Sequence, residues 1–210
     1  MRASESGRSG ESVKEIQDHY FKKAKKEGYP ARSVYKLEEA QQKYRLLKKG
    51  DKVLDLGCHP GSWSLYAAKV VGVQGLVVSI DLQKTRGGGK KGMAPIHWLR
   101  GDITDEEMLA SVRELAPVFD VVVSDMAPRT TGNKWADQQQ ALNLARRSLA
   151  IAEEMLKPGG NYYCKVFQGE DVELFVKEVG SRFKTAKLVK PKSSRSESRE
   201  MFVLGMGFGG

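Results

Sequence analysis

The chain is poor in the residues that staple or cap small folds. Two cysteines, Cys58 and Cys164, are too few for a disulfide framework in 210 residues. Both sit in apolar, strand-like sequence, so a reduced, cytoplasmic setting is expected. The three histidines, His19, His59 and His97, are scattered without ligand spacing, and no metal is expected. No apolar run approaches the roughly 20 residues of a membrane-spanning helix. The opening MRASESGRSG lacks the hydrophobic segment of a secretory signal, so no membrane partner is expected. Acidic residues are in deficit, 26 against 35 Lys and Arg, which leaves a formal net charge of +9. Such an excess favours a polyanionic partner through phosphate contacts and counterion release, with nucleic acid the leading candidate, although many small basic proteins touch none.

What is present suffices for one α/β domain, with 40% hydrophobic residues and too little length for two comfortable ones. Residues 1–11 are rich in Ser, Gly and Arg and read as a disordered tail. A single domain is expected over 12–210, opening with basic helices within 12–50. Gly28, Tyr29 and Pro30 divide the stretch from Ser12 to Tyr44 into two short helices. From Lys52, short Val/Ile/Leu runs (KVLDLG, GLVVSIDL, IHWLRGD, FDVVVSD) alternate with amphipathic segments, the mark of parallel strands covered on both faces. Leu142, Ala145, Leu149, Ala152 and Leu156 share a helix face that stops at Lys157, Pro158 and Gly159-Gly160. The strand NYYCKVF and a helix with Val172, Phe175, Val179 and Phe183 inward follow. The runs KTAKLVK and MFVLGMGF have no room for a helix between them and should pair antiparallel at one edge.

In an open parallel sheet, ligands bind beyond the carboxyl ends of the strands. There the chain reads VLDLGCHPGSWS, where Gly57 and Gly61 permit a tight turn and close backbone approach. The spacing is not the G-x-G-x-x-G of a dinucleotide cradle. Asp81, Asp102 and Asp125 end the next strands. A carboxylate at the second strand end can accept both ribose hydroxyls of an adenosine, and one at the third can accept from the adenine amino group. Each alone is more often a turn former or helix cap. Three strand ends pointing the same way, with the glycine turn, argue for a nucleoside ligand. Trp63 is a candidate wall for that pocket, or an ordinary core aromatic.

Four motifs in order, VLDLGCHPGSWS, SDMAP, KVFQG and SRSESRE, resemble the FtsJ/RrmJ family of large-subunit ribosomal RNA ribose 2′-O-methyltransferases, the methyltransferase E family, over roughly residue 18 to the end. The resemblance implies a Rossmann-like S-adenosylmethionine methyltransferase fold: a central seven-stranded, mostly parallel sheet with an antiparallel last strand and helices on both faces. It implies S-adenosyl-L-methionine as cofactor, held by Gly61, Trp63, Asp81, Asp102 and Asp125, to which the glycine turn adds Gly57. It implies a catalytic tetrad of Lys36, Asp125, Lys165 and Glu200, with Lys165 as proton acceptor. The implied reaction is 2′-O-methylation of RNA, a uridine of large-subunit ribosomal RNA first among substrates; a monomer is expected. The chain departs from the family in having Gly61-Ser62 where two glycines are usual. Its segment QKTRGGGKKGMAP after Asp81 is also unusually basic and glycine-rich, with RNA contact expected of it.

A ribose hydroxyl is a poor nucleophile, so such an enzyme must align it with the methyl group and remove one proton as attack proceeds. Lys165 lies within the apolar run YYCKVF, where an ammonium must be paired or neutralised. Free lysine titrates near 10.4. Burial, Lys36 and a positive sulfur favour the downward shift a base requires, and Asp125 opposes it. Read without the resemblance, Lys36 is a solvated helix charge and Glu200 a loop charge. For RNA, three segments should converge on the strand carboxyl ends: Lys22, Lys23, Lys25, Lys26 and Arg32; Arg129 and Lys134; and Lys190, Lys192, Arg195 and Arg199. Tyr20, Tyr29 and Trp135 are candidate base-stacking residues. Competing readings are a transfer-RNA or messenger-cap 2′-O-methyltransferase and a non-catalytic RNA-binding ribosome assembly factor. A base-directed amino methyltransferase is disfavoured because SDMAP lacks the aromatic that chemistry wants.

Overall fold

A computed structural model of the chain describes residues 19–85, 87–195 and 197–209. The tail expected over 1–11 and the helical start expected at Ser12 lie outside the described residues. Helical residues 19–27 (α1) end at Gly28, whose φ of 81° suits only glycine, and α2 follows at Val34–Tyr44. The remaining elements are β1 (Lys52–Leu56), α3 (Ser62–Val71), β2 (Leu76–Asp81), β3 (Ile96–Arg100), α4 (Glu106–Leu115), β4 (Phe119–Ser124), α5 (Lys134–Met155), β5 (Leu156–Phe167), α6 (Val172–Gly180), β6 (Phe183–Val189) and β7 (Glu200–Phe208).

The seven strands lie in the order β3-β2-β1-β4-β5-β7-β6. All neighbours from β3 through β5 are parallel, whereas β7 inserts between β5 and β6 and runs antiparallel to both. Strand order reverses between β1 and β4, which opens a crevice at their carboxyl ends. Strand alternation separates two cores. Leu54, Leu56, Ile80, Val122 and Tyr162 face α4, α5 and α6 through Leu109, Leu142, Leu149 and Phe175. Val53, Val77, Val121, Val123 and Tyr163 face α1, α2 and α3 through Ala24, Val34, Leu37, Ala67 and Val71. The burial of β1, β2 and β4 on both sides matches their nearly continuous apolar sequence, whereas the edge strands β3 and β6 are only partly covered.

Two boundaries differ from expectation. The long helix ends at Met155, and Leu156 already pairs with Phe119 in β5, before an irregularity that restores register at Val121↔Asn161. Pro158 disfavours helix at the residue before it, and Gly159 adopts φ 81°, so the Lys-Pro-Gly-Gly stretch belongs to the strand. Phe183, expected on the inner face of α6, instead opens β6 and stacks on Tyr162 at 5.9 Å. Among the described residues no helix is long and apolar enough to cross a membrane, and no group of three metal-binding side chains occurs.

Candidate active site

A cavity of about 980 Å³ opens at the crevice, and its wall includes Gly57, Asp81, Asp102, Asp125, Lys36, Lys165 and Glu200. Strand parity explains the grouping. Lys165 alternates with Cys164 and Val166, which point into the α4–α6 core, so its side chain emerges on the α2–α3 face; Glu200, two residues before Phe202, emerges there too. Helix α2 lies across that face and contributes Lys36.

The two basic side chains are nearly dry. Lys165 is 7% exposed on a central strand; its Nζ donates to the Asp125 carbonyl oxygen at 2.6 Å and lies 3.0 Å from Asp125 Oδ1. Lys36 is 8% exposed, donates from Nζ to Glu200 Oε2 at 2.7 Å, and lies 5.6 Å from the Phe202 ring centre. Neither the solvated-helix reading of Lys36 nor the loop reading of Glu200 survives this pairing. Burial pushes the Glu200 carboxyl up, but the charge and hydrogen bond of Lys36, with Lys165 and Ser198, outweigh it and hold the pKa below the usual glutamate value. Lysines with carboxylate partners thus stand side by side in one partly desolvated wall.

At the opposite end, the strand-end carboxylates serve two purposes. Asp81 accepts from the backbone N–H of His59 at 2.9 Å and of Gln83 at 2.8 Å, and Asp102 from that of Thr104 at 2.9 Å. Both are therefore turn formers as well as cavity walls. Gly57, at φ 74°, lets the chain after β4 come close, since a Cβ there would stand 2.5 Å from Met126 Cγ.

Two expected cofactor residues sit elsewhere. Trp63 does not wall the cavity: it is 2% exposed, its Nε1 donates to the Ser33 carbonyl oxygen, and its ring stacks on Tyr163 at 5.6 Å. The α2–α3 packing, which sequence periodicity does not reveal, draws it into the core. Gly61 is likewise absent from the cavity wall; at φ 105° it precedes α3, and its bare Cα accommodates Trp98.

The basic residues divide in the same way. Lys22, Lys25, Lys26, Lys134, Lys192 and Arg195 are exposed, and Arg129 is both exposed and part of the cavity wall. Lys23 is already engaged with Glu27, Glu38 and the Tyr35 ring. Arg199 donates to the Gln168 carbonyl oxygen at 2.7 Å. Arg32 is half-buried and feels Arg195 and Glu200, so the first and third basic segments do meet beside the tetrad; burial first, then Arg195, lowers its pKa. The Lys190–Arg199 segment is tied to α2 by Glu39, which accepts from the N–H groups of Lys192 and Ser193. Of the aromatic candidates, Trp135 is 70% exposed, Tyr20 is half-buried against Tyr35, and Tyr29 is buried against Tyr66 and has no face to offer.

Sequence reasoning missed Asp55. It is fully buried on the same sheet face, just below Gly57, with Oδ2 accepting from Ser64 Oγ at 2.6 Å and Oδ1 without a partner among the described residues. Burial, together with Asp125 and Asp81, raises its carboxyl to about 7 against the hydrogen bonds from Ser64. A lone carboxylate in the apolar run KVLDL was a readable signal. Arg147 was missed too: it lines the cavity from α5 and donates twice to the Ile103 carbonyl oxygen.

Residues 29–208 match the FtsJ-like methyltransferase family. The chain is 56% identical over 196 residues to ribosomal RNA large subunit methyltransferase E of Desulfotalea psychrophila, covering 93% of this chain and 98% of that one. It is 47% identical over 201 residues to the protein of the same name from Oleidesulfovibrio alaskensis, covering 94% and 95%. Among solved structures, a Plasmodium falciparum protein described as a ribosomal RNA methyltransferase superposes with a TM-score of 0.74 at 24% identity, covering 87% of this chain and 100% of the other. Aeropyrum pernix fibrillarin in complex with S-adenosyl-L-methionine gives 0.57 at 17% identity, covering 83% and 76%. At such identities these two likenesses concern the fold.

Proposed function

Because the chain belongs to the FtsJ-like methyltransferase family, we propose that this methyltransferase uses S-adenosylmethionine to methylate a ribose 2′-hydroxyl of RNA, with large-subunit ribosomal RNA as substrate. The observation that carries the reading is that Lys36, Asp125, Lys165 and Glu200 line one cavity with Asp81 and Asp102.

The cavity's donor set fits the methyl donor. Asp81, Asp102 and Asp125 line the cavity, where Asp81 would accept from the ribose hydroxyls and Asp102 from the amino group of an adenosine, and together they offer anionic surroundings to a ligand bearing a sulfonium and an ammonium. Gly57 leaves its part of the wall without a side chain. When bound, S-adenosylmethionine supplies a methyl group already activated on positive sulfur. The protein's own task is then alignment and removal of one proton.

Lys165 takes that proton on Nζ. Asp125 holds the amine from two sides, through its carbonyl and its carboxylate, and fixes where the nitrogen lone pair can point. Lys36 and Glu200 lock one another across the cavity wall and position the ribose, Glu200 accepting from a sugar hydroxyl and Lys36 meeting the adjacent phosphate. The low exposure of both lysines keeps water from competing for the hydroxyl. Arg129, Arg32 and Arg195 lead phosphates toward this wall.

The test is product identity. The full chain is incubated with large-subunit ribosomal RNA, free and in assembled particles, and methyl-labelled donor, and the RNA is digested to nucleosides. Label in a 2′-O-methylnucleoside is expected, and label confined to a base contradicts the proposal.

A further inference from the structure

The segment between β2 and β3 is the part of the chain least explained by packing or by donor binding. It starts at the cavity, where Leu82 and Gln83 form part of the wall. Thr85 Oγ1 then lies 3.3 Å from His59 Nδ1, and the Gly87 carbonyl oxygen accepts from Trp98 Nε1 at 3.0 Å. At its far end Ala94 is buried and its N–H bonds the Ala68 carbonyl oxygen. Between these anchors the loop passes the α1–α2 turn so closely that Lys90 Nζ stands 3.0 Å from where a Cβ on Gly28 would be.

Two features of this bridge call for a ligand. Its glycines are not all required by the fold: a Cβ on Gly88 would meet nothing within 4 Å, and one on Gly89 only the Ala94 carbonyl oxygen at 3.9 Å, at backbone angles open to other residues. Bare glycine there leaves backbone N–H groups accessible, as phosphate-binding loops do. Its charge is also uncompensated. Lys90 and its neighbour Lys91 are exposed, as are Lys25 and Lys26 at the end of α1 that Lys90 reaches, and none of the four joins an ion pair among the described residues. The nearby Glu27 is taken up by Lys23 and by the Tyr35 hydroxyl. Like charges gathered near one turn repel each other unless an anion lies among them.

We infer that the glycine-rich loop at residues 87–92, with the α1 lysines beside it, is a phosphate-binding arm that grips substrate RNA on the glycine-turn side of the cavity. This rests on RNA being the substrate, and it adds a hold on the strand beyond the cavity wall. The arm recognises backbone rather than sequence, because lysines and bare amides read phosphate.

The experiment compares Lys90→Ala/Lys91→Ala with the unaltered chain, using a fluorescently labelled large-subunit ribosomal RNA transcript across a salt series. Loss of two phosphate contacts flattens the slope of log K against log salt by about 1.5 and weakens binding about tenfold at 0.1 M salt. In turnover the effect falls on KM for RNA rather than on kcat, and donor affinity by calorimetry is retained. Both lysines are exposed, so folding is preserved, as circular dichroism will verify. An unchanged salt slope overturns the inference, as does a loss of donor affinity without a change in slope, which assigns the loop to the cofactor. Failure of the unaltered chain to methylate any RNA is a separate result and sinks the functional reading instead.

Discussion

The two ends of the central sheet carry the same kinds of charged residue and put them to different use. At the amino ends, Lys157 pairs with Asp120, which also accepts from the Lys52 N–H, and the Lys157 side chain is 51% exposed. At the carboxyl ends, Lys165 pairs with Asp125 and Lys36 with Glu200, with the lysine side chains 6% and 10% exposed. Exposed pairs gain little because water and salt screen them, whereas buried ones carry a desolvation cost that a fold retains only where geometry or chemistry requires it. The cavity marks which end requires it. Asp55 sharpens the contrast, a buried carboxyl under the strand ends with one oxygen that has no partner among the described residues.

The largest stability effect is expected from Asp55. Its carboxyl lies near 7 in the fold against an ordinary value of 3.8, raised by burial first and by Asp125 and Asp81 after it. Between these values the native state holds a proton that the unfolded chain has lost, so stability falls as pH rises across the window. The full loss is at most about 4 kcal/mol, from roughly three pKa units. Urea denaturation at pH 5 and pH 8 should show the drop in the unaltered chain and a much flatter profile in Asp55→Asn, which keeps a partner for Ser64. An equal slope in both removes Asp55 as its source. At the amino ends, Lys157→Ala should change stability by no more than about 0.5 kcal/mol in the same assay, and less at high salt. A loss of several kcal/mol there would erase the distinction between the two ends.

Much of this arrangement can be read from residues alone, and the rest has identifiable reasons for being hidden. The parallel strands, the covering helices and the carboxylate at each strand end follow from short apolar runs that finish in Gly or Asp. Lys165 stands out because a charge inside YYCKVF has nowhere to go without a partner, and the same argument applied to KVLDL would have found Asp55. The Lys36–Glu200 pair is different: its members lie 164 residues apart, and only the insertion of β7 beside β5 brings Glu200 under α2. Motif resemblance named them; periodicity could not. Trp63 and Tyr29 were misplaced because an aromatic at the edge of a helix can face a ligand or a neighbouring helix, and the packing of α1, α2 and α3 decides which. The end of α5 was displaced by only a few residues, where the partner strand competes with the helix for Leu156.

The central claim is that the Lys165 amine, held by Asp125, takes the proton from a ribose hydroxyl. Single-turnover transfer from labelled donor to ribosomal RNA, measured for Lys165→Ala beside calorimetric donor affinity, tests it most directly. The account predicts a loss on the order of 10³-fold in the transfer rate with donor affinity within about twofold of the unaltered chain. Transfer at an undiminished rate by the variant would contradict it.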